Sequence, residues 1–394
     1  MKLLKRIIIV VVSLLFLLVL TAVIVFLNEI RSLASLNKVD DYPMYSMKYY
    51  GDYGFEEFLK TGANSDEDIE AYVIKRLLKG FSIDLGITGD GCTAFVTRNP
   101  EGDIIFGRNF DFEYAPSVQV FTNPDDGYAS VSTVNLTFAG YSADNLPGES
   151  ISINNFLMLA APYLPFDGMN EKGVSIALLA VPEAQSSQSS DKVTLNTTTA
   201  IRLVLDRAAS VEEAINLLSQ YNIYFSADVP CHYLIADSTG VSALVEYWGG
   251  TLQTVVSDTD YQIASNFIAY DDMNIGNGYS EFERYYAVKA FIEERNGVLS
   301  ENEAISLLSN IGIYEDDIDI LQWSVVYNLT ELNGYIFAHR NMNNVLKFNF
   351  EHSIGHDLIL LLSYPAIFIG LLLIIHRRQQ VRRWKMLLDT LSSN

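Results

Sequence analysis

Apolar and polar positions follow three different patterns along this chain. Residues 7–27 are an apolar run softened only by Ser13 and Thr21, about the ~20 residues that cross a bilayer as a helix. Residues 358–375 form a second such run, with Pro365 and Gly370 inside it, residues that membrane helices tolerate. Between them, residues 66–81 repeat with a helical period, acids first and bases last, in keeping with the helix dipole. From Cys92 onward the period falls to two. Runs rich in β-branched and aromatic residues are broken by turn clusters and predict hairpins. One covers residues 92–112 and turns at Asn99-Pro100-Glu101-Gly102-Asp103. A second covers 232–247 and turns at 237–240, and a third joins 323–328 to 334–338. Helices interrupt the strands. Ser210-Val211-Glu212-Glu213 and Ser300-Glu301-Asn302-Glu303 read as capping boxes before apolar-periodic runs, and residues 280–294 predict another helix. Strand runs with paired helices, rather than strict alternation, predict an α+β fold.

Charge turns the apolar ends into a topology. Lys2, Lys5 and Arg6 precede the first run, while Arg377, Arg378, Arg382, Arg383 and Lys385 follow the second, with Trp384 among them. Basic residues favour the cytoplasmic side and Trp the interface, so both termini are expected in the cytoplasm and the body outside. A signal peptide fits less well, because its apolar core is about 7–15 residues and a small-residue cleavage site follows it. The expected organisation is a cytoplasmic tail (1–6), a transmembrane helix (7–27), an extracellular stretch (28–91), an extracellular strand-rich body (92–357), a second transmembrane helix (358–375) and a basic cytoplasmic tail (376–394). Membrane lipid is thus an expected partner. The two tails carry +3 and +4 of a chain whose net charge is −22, leaving −29 on the body. So acidic a body argues against nucleic acid as a partner. Two cysteines, Cys92 and Cys231, make no disulfide framework. Cys231 reads as a buried apolar residue, although pairing with Cys92 is conceivable. The sequons at Asn135, Asn196 and Asn328 read as incidental.

The chemistry centres on Cys92. In the hairpin after it, Phe106-Gly107-Arg108-Asn109-Phe110-Asp111 returns alongside Gly91-Cys92-Thr93. A thiol, a cation and a carboxylate would meet at one sheet edge, where a guanidinium favours the reactive thiolate. A buried small hydrophobe beside a surface ion pair is the plainer alternative. His352 and His356, four apart, could share a helix face, but no other ligand-spaced cluster joins them, and no metal or cofactor is expected. No phosphate-binding or dinucleotide motif is present.

Cys92-Thr93 and Gly107-Arg108-Asn109-Phe110-Asp111 resemble the mature start of the choloylglycine hydrolase (linear amide C–N hydrolase) family. Phe166-Asp167-Gly168-Met169-Asn170-Glu171-Lys172-Gly173-Val174 resembles its second signature. Ala264-Ser265-Asn266 and Glu283-Arg284-Tyr285 fall where it keeps an oxyanion-hole asparagine and an arginine. The resemblance implies the four-layer αββα sandwich of N-terminal-nucleophile hydrolases and a small-molecule acyl amide as substrate. It implies a site built from Cys92, Arg108, Asp111, Asn266 and Arg284, with the Gly91–Cys92 bond cut so that the free α-amino group of Cys92 serves as base. One departure stands out. The family often keeps a polar residue after the second signature, and here the matching position is Ala180. An acyltransferase of the isopenicillin N type, or a binding protein on the same fold, are the alternatives the residues leave open.

Overall fold

The computed structural model describes residues 2–78, 91–148, 154–187, 189, 191–270, 280–315 and 318–350. Two antiparallel-rich sheets face each other. The larger has nine strands in the order β1 (Asn37–Asp40), β2 (Met44–Lys48), β5 (Ser117–Thr122), β6 (Ser130–Asn135), β7 (Pro165–Asn170), β8 (Ser175–Ala180), β11 (Cys231–Ala236), β12 (Ser242–Trp248) and β13 (Thr251–Val256). The smaller runs β14 (Gln262–Ala264), β3 (Cys92–Arg98), β4 (Ile104–Asp111), β17 (Leu321–Asn328), β18 (Asn333–Ala338) and β19 (Leu346–Asn349). Two short ladders complete the strands: β9 (Thr194–Asn196) with β10 (Asn222–Tyr224), and β15 (Tyr314–Glu315) with β16 (Ile318–Asp319).

Helices cover the two outer faces. On the nine-stranded sheet lie α5 (Thr197–Arg207) and α6 (Val211–Leu218); on the six-stranded sheet lie α7 (Ser280–Glu294) and α8 (Glu301–Ile311). The layers therefore stack as αββα, the expected architecture. Alternation along β3 and β4 divides their side chains between two environments. Phe95 and Ile105 point outward into a core with Val288, Ile292, Ala304 and Leu308 of the covering helices. Cys92, Ala94, Arg108 and Phe110 share the inner face, because Cys92 pairs with Phe110 and Ala94 with Arg108.

The expected hairpins form: β3–β4, β11–β12 and β17–β18 pair antiparallel. The helix over 280–294 has the expected bounds. At Ser300 the capping box is complete. At Ser210 only half of it forms, since the Ser210 hydroxyl accepts from Glu213 N while the Glu213 carboxylate reaches back to Ala209 N instead. The helix expected over 66–81 runs as α4 (Asp66–Val73) and continues as one π-helical turn through Leu78, and residues 79–81 lie outside the described residues. Asn135, Asn196 and Asn328 are all buried, and the first two cap helices.

Residues before Cys92 are part of the sheet rather than a separate layer. Strand β2 pairs in parallel with β5, so β1 and β2 form one edge of the nine-stranded sheet. The Tyr53 hydroxyl donates to the Asp206 carboxylate at 2.7–2.8 Å, and Asp206 in turn meets Arg202. Asp40 accepts from Asn341 at 2.9 Å and Asn344 at 2.6 Å.

The first apolar run lies in α1 (Lys2–Val25), followed by α2 (Leu27–Ala34). Many of its large side chains, among them Leu14, Leu15, Leu17 and Leu18, are exposed. Among the described residues no single helix is long and apolar enough to cross a membrane, so the straight span expected at 7–27 is not found. One pair, Ser13–Val25 with Leu27–Ala34 bent by 69°, passes by length and composition. The second run at 358–375, the tail at 376–394, and His352 and His356 lie outside the described residues.

Candidate active site

Cys92 opens β3 at the inner face of the six-stranded sheet. Its Sγ lies 3.8 Å from Arg108 Nη2. Arg108 is fully buried and held on three sides: Nη1 donates to Asp167 Oδ2 at 3.0 Å, Nη2 donates to Leu178 O at 3.3 Å, and Phe110 and Trp323 flank the guanidinium. Asp167 is the buried counter-charge. It also accepts from Trp323 Nε1 at 2.9 Å and Tyr327 OH at 2.8 Å. Unmet polar atoms make a buried pair of this kind costly; these bonds meet the carboxylate on both oxygens, while among the described residues Arg108 Nε has no partner. Asp167 was not among the expected site residues. Its signal was present, as the acid within the second signature, but nothing in the sequence showed that Arg108 across the sheet interface would be its partner.

Two of the expected residues, Asn266 and Arg284, converge beside the main-chain nitrogen of Cys92. With Gly91 attached, Cys92 N donates to Asn266 Oδ1 at 2.7 Å. Arg284 Nη2 donates to the same oxygen at 2.7 Å, and Arg284 Nε donates to Thr93 Oγ1 at 3.2 Å. Two donors on one atom fix the amide orientation, which leaves Asn266 Nδ2 to donate to Ala180 O at 2.7 Å. A carboxamide has two N–H bonds on that nitrogen, and this is the one bond it makes among the described residues. Space at Gly91 is tight: a Cβ there would stand 3.0 and 3.1 Å from the Arg284 guanidinium nitrogens and press on the tip of Ile313, so those side-chain ends would have to shift.

Asp111 is placed differently from expectation. Strand alternation puts it on the face opposite Arg108. Its own N–H donates to Gly91 O at 3.0 Å, so it flanks the Gly91–Cys92 bond from the outer side. Its Oδ1 accepts from Ile313 N at 2.9 Å, and among the described residues no donor reaches Oδ2. Burial pushes this carboxyl up to about 6, against the opposing pull of the Ile313 N–H, Arg284 and Arg108.

The thiol also departs from expectation. Arg108 does favour the thiolate, but burial outweighs it and Asp111 adds to the effect, so the Cys92 thiol sits above its ordinary value. Ala180 answers the missing polar side chain with its main chain: its N–H favours the Cys92 thiolate, and its carbonyl holds Asn266. Glu246, absent from the sequence reading, anchors the loop after Asn266. Its carboxylate accepts from Ala269 N at 3.0 Å and Tyr270 N at 2.8 Å, and lies 2.8 Å from His232 Nδ1.

Cys92 stands in the wall of a small open pocket, with about 40 Å³ of space for the centres of water-sized molecules. Phe110, Phe112, Phe138, Phe166 and Leu178 make that wall apolar. The hydroxyls on it are already engaged: Thr198 donates to Tyr163 O, Thr197 accepts from Ser226 N, and Ser226 accepts from Asn196. Cys231 lines the same pocket with a free thiol, which burial pushes up to about 12.

A cysteine at a strand start, a buried arginine at its sulfur and an asparagine on its main-chain nitrogen thus stand together on an αββα sandwich, the N-terminal-nucleophile fold. Residues 92–296 match the family described as linear amide C–N hydrolases, choloylglycine hydrolase family, and the chain belongs to it. A bile salt hydrolase/transferase of Clostridium perfringens (strain 13 / Type A) is 27% identical over 190 residues, covering 46% of this chain. The chain spans about half of that relative's length, 54%. Among solved structures, a single-residue variant of the conjugated bile acid hydrolase from Clostridium perfringens aligns with a TM-score of 0.50 at 18% identity, over 66% of this chain and 93% of its own. A penicillin V acylase from Agrobacterium tumefaciens aligns at a TM-score of 0.46 and 18% identity, over 66% of this chain and 86% of its own. At such identity the likeness is one of fold.

Proposed function

We propose that this protein is an amidase that hydrolyses linear, non-peptide C–N amides of small acyl substrates, with Cys92 as nucleophile. One observation carries the reading. Cys92 presents its sulfur to Arg108 and its main-chain nitrogen to Asn266, whose oxygen Arg284 also bonds, beside an apolar pocket.

Cutting Gly91–Cys92 by addition of water gives Cys92 a free α-amino group. Burial holds the Cys92 thiol above its ordinary value, so the α-amino group, which titrates near ~7.7–8, takes the thiol proton as the sulfur attacks rather than beforehand. Sulfur attacks the acyl carbonyl, and the second N–H of Asn266 Nδ2 stabilises the oxyanion. Collapse breaks the C–N bond, the ammonium proton passes to the leaving amine, and a thioester remains. Water, deprotonated by the same amine, releases the carboxylic acid and restores the thiol. Arg108 holds the sulfur, with Asp167 neutralising the arginine. Asp111 beside Gly91 offers its unpartnered oxygen to the new ammonium. If an amine replaces water in the last step, the product is a new amide; the hydrolase/transferase designation of the Clostridium perfringens relative favours this second reading.

Anchoring is part of the proposal. Tyr53, Asp40 and β2 bind residues 28–78 to the body, so a cut at Gly91 would leave the N-terminal segment attached without a peptide link. We place the body outside the cell and both tails in the cytoplasm on the basic residues flanking the apolar runs. External protease on intact cells should digest the body and spare tags on both tails; a protected body refutes that placement. The activity is tested by mass spectrometry of the purified chain with conjugated bile salts, phenoxyacetyl penicillin, N-acyl homoserine lactones and N-acyl amines. Turnover of at least one, lost in Cys92→Ala, is expected; no turnover of any, or turnover surviving Cys92→Ala, overturns the reading.

A further inference from the structure

A residue that precedes Cys92 braces a loop in the wall of the pocket. Ser226 and Val229 line it, and the two residues between them, Ala227 and Asp228, have φ of 50° and 56°. Side-chain-bearing residues rarely adopt that left-handed conformation and keep it only where their surroundings enforce it. The enforcement comes from two directions. From within the body, Asn196 Nδ2 donates to Ser226 Oγ at 2.7 Å, and Ser226 N donates to Thr197 Oγ1 at 3.2 Å. From outside it, the Asp66 carboxylate accepts from Ala227 N at 2.7 Å and from Tyr224 OH at 3.1 Å. Asp66 is the first residue of α4, whose start is fixed by the Ser65 cap and by Ala63 N donating to Thr194 O at 2.9 Å, just ahead of α5.

We infer that Asp66 is a specificity-determining positioning residue: from the segment before the nucleophile, it sets the acyl-pocket wall at Ser226 and Val229. This rests on the pocket being the acyl site. Asp66 touches neither the thiol nor its partners, so its loss should leave the bond-breaking machinery intact. The loop would relax from its left-handed conformation and the wall would withdraw, so that longer acyl chains gain relative to shorter ones. One methylene in an apolar pocket discriminates by about 10-fold or more, which sets the scale of the shift.

The test uses the full chain and N-hexanoyl, N-octanoyl and N-decanoyl amides of one amine. Asp66→Ala should raise the decanoyl-to-hexanoyl ratio of kcat/KM by about 10-fold, through KM, with kcat for the best substrate within a factor of about two. Asp66→Asn keeps an acceptor for Ala227 N and should restore the original ratio. Tyr224→Phe removes one of the two bonds and should shift the ratio the same way by less. An unchanged ratio in both Asp66→Ala and Tyr224→Phe overturns the inference, as does a uniform fall for all three chains. Should Asp66→Ala not fold, the Tyr224→Phe ratio decides alone. The inference and the amidase reading are separated by calorimetric binding of hexanoate, octanoate and decanoate to the Cys92→Ala protein, with and without Asp66→Ala. If the wild type turns over no acyl amide, the amidase reading falls, and the binding ratios still decide the role of Asp66 in the same directions.

Discussion

Asp111 offers a test of the site's electrostatics that needs no substrate. Its carboxyl is buried, accepts one backbone N–H and stands at about 6, roughly two units above the ~3.9 of a free aspartate. At ~1.4 kcal/mol per unit, ionising it inside the fold costs on the order of 3 kcal/mol. A folded-state value raised above the unfolded one gives stability that is complete below about pH 4 and is lost as pH rises through about 6. Roughly 1.5 kcal/mol of that loss falls between about pH 5 and pH 8. Asp111→Asn removes the titration while keeping the oxygen that accepts from Ile313 N. Both chains should carry Cys92→Ala, so that Gly91 stays attached. Urea unfolding at a series of pH values should then show the Asn variant gaining on the Asp parent by ~1.5 kcal/mol from pH 5 to pH 8. Parallel stability curves would refute the reasoning, since the carboxyl would then be ionised at its ordinary value within the fold.

Three further outcomes are expected. Asn266→Ala should lower kcat by about 10²–10³ if its free N–H meets the oxyanion, measured under single-turnover conditions; a silent mutation places the oxyanion site elsewhere. Asp167→Asn should destabilise the protein by about 3–5 kcal/mol, because it leaves the Arg108 charge buried and unpaired, read as a fall in the urea midpoint. Glu246→Ala should lower kcat while leaving KM for the acyl chain nearly unchanged, since it frees the Ala269 and Tyr270 N–H groups that steady the loop after Asn266; a change confined to KM would contradict that role.

What could be read from the sequence was local. The Cys92–Asp111 hairpin carries its own turn cluster and strand-forming flanks, and so brought Arg108 to the thiol without tertiary knowledge. Ser300 with Glu303 announced a helix start that the structure completes. Distant pairings carried no local signal. Met44–Lys48 pairs in parallel with Ser117–Thr122 across some seventy residues, so nothing local in the stretch before Cys92 showed that it supplies a sheet edge. Asp167 reads as a turn-proximal acid until the second sheet supplies Arg108, Trp323 and Tyr327. Ala180 read as a defect because sequence shows side chains, and its contribution is made by main-chain N–H and C=O. The sign of the Cys92 shift was missed for a related reason: burial outweighs the arginine, and burial is a property of the whole fold.

The central claim is that Cys92 becomes an N-terminal nucleophile. It is tested most directly by intact-mass and N-terminal analysis of the full-length protein purified from membranes, before and after a brief acid-quenched reaction with a turned-over amide. The expected result is a chain beginning at Cys92, copurifying with the residues 28–78 segment, that gains the mass of one acyl group on Cys92. An active preparation containing only intact chain, with no acyl group on Cys92, would contradict it.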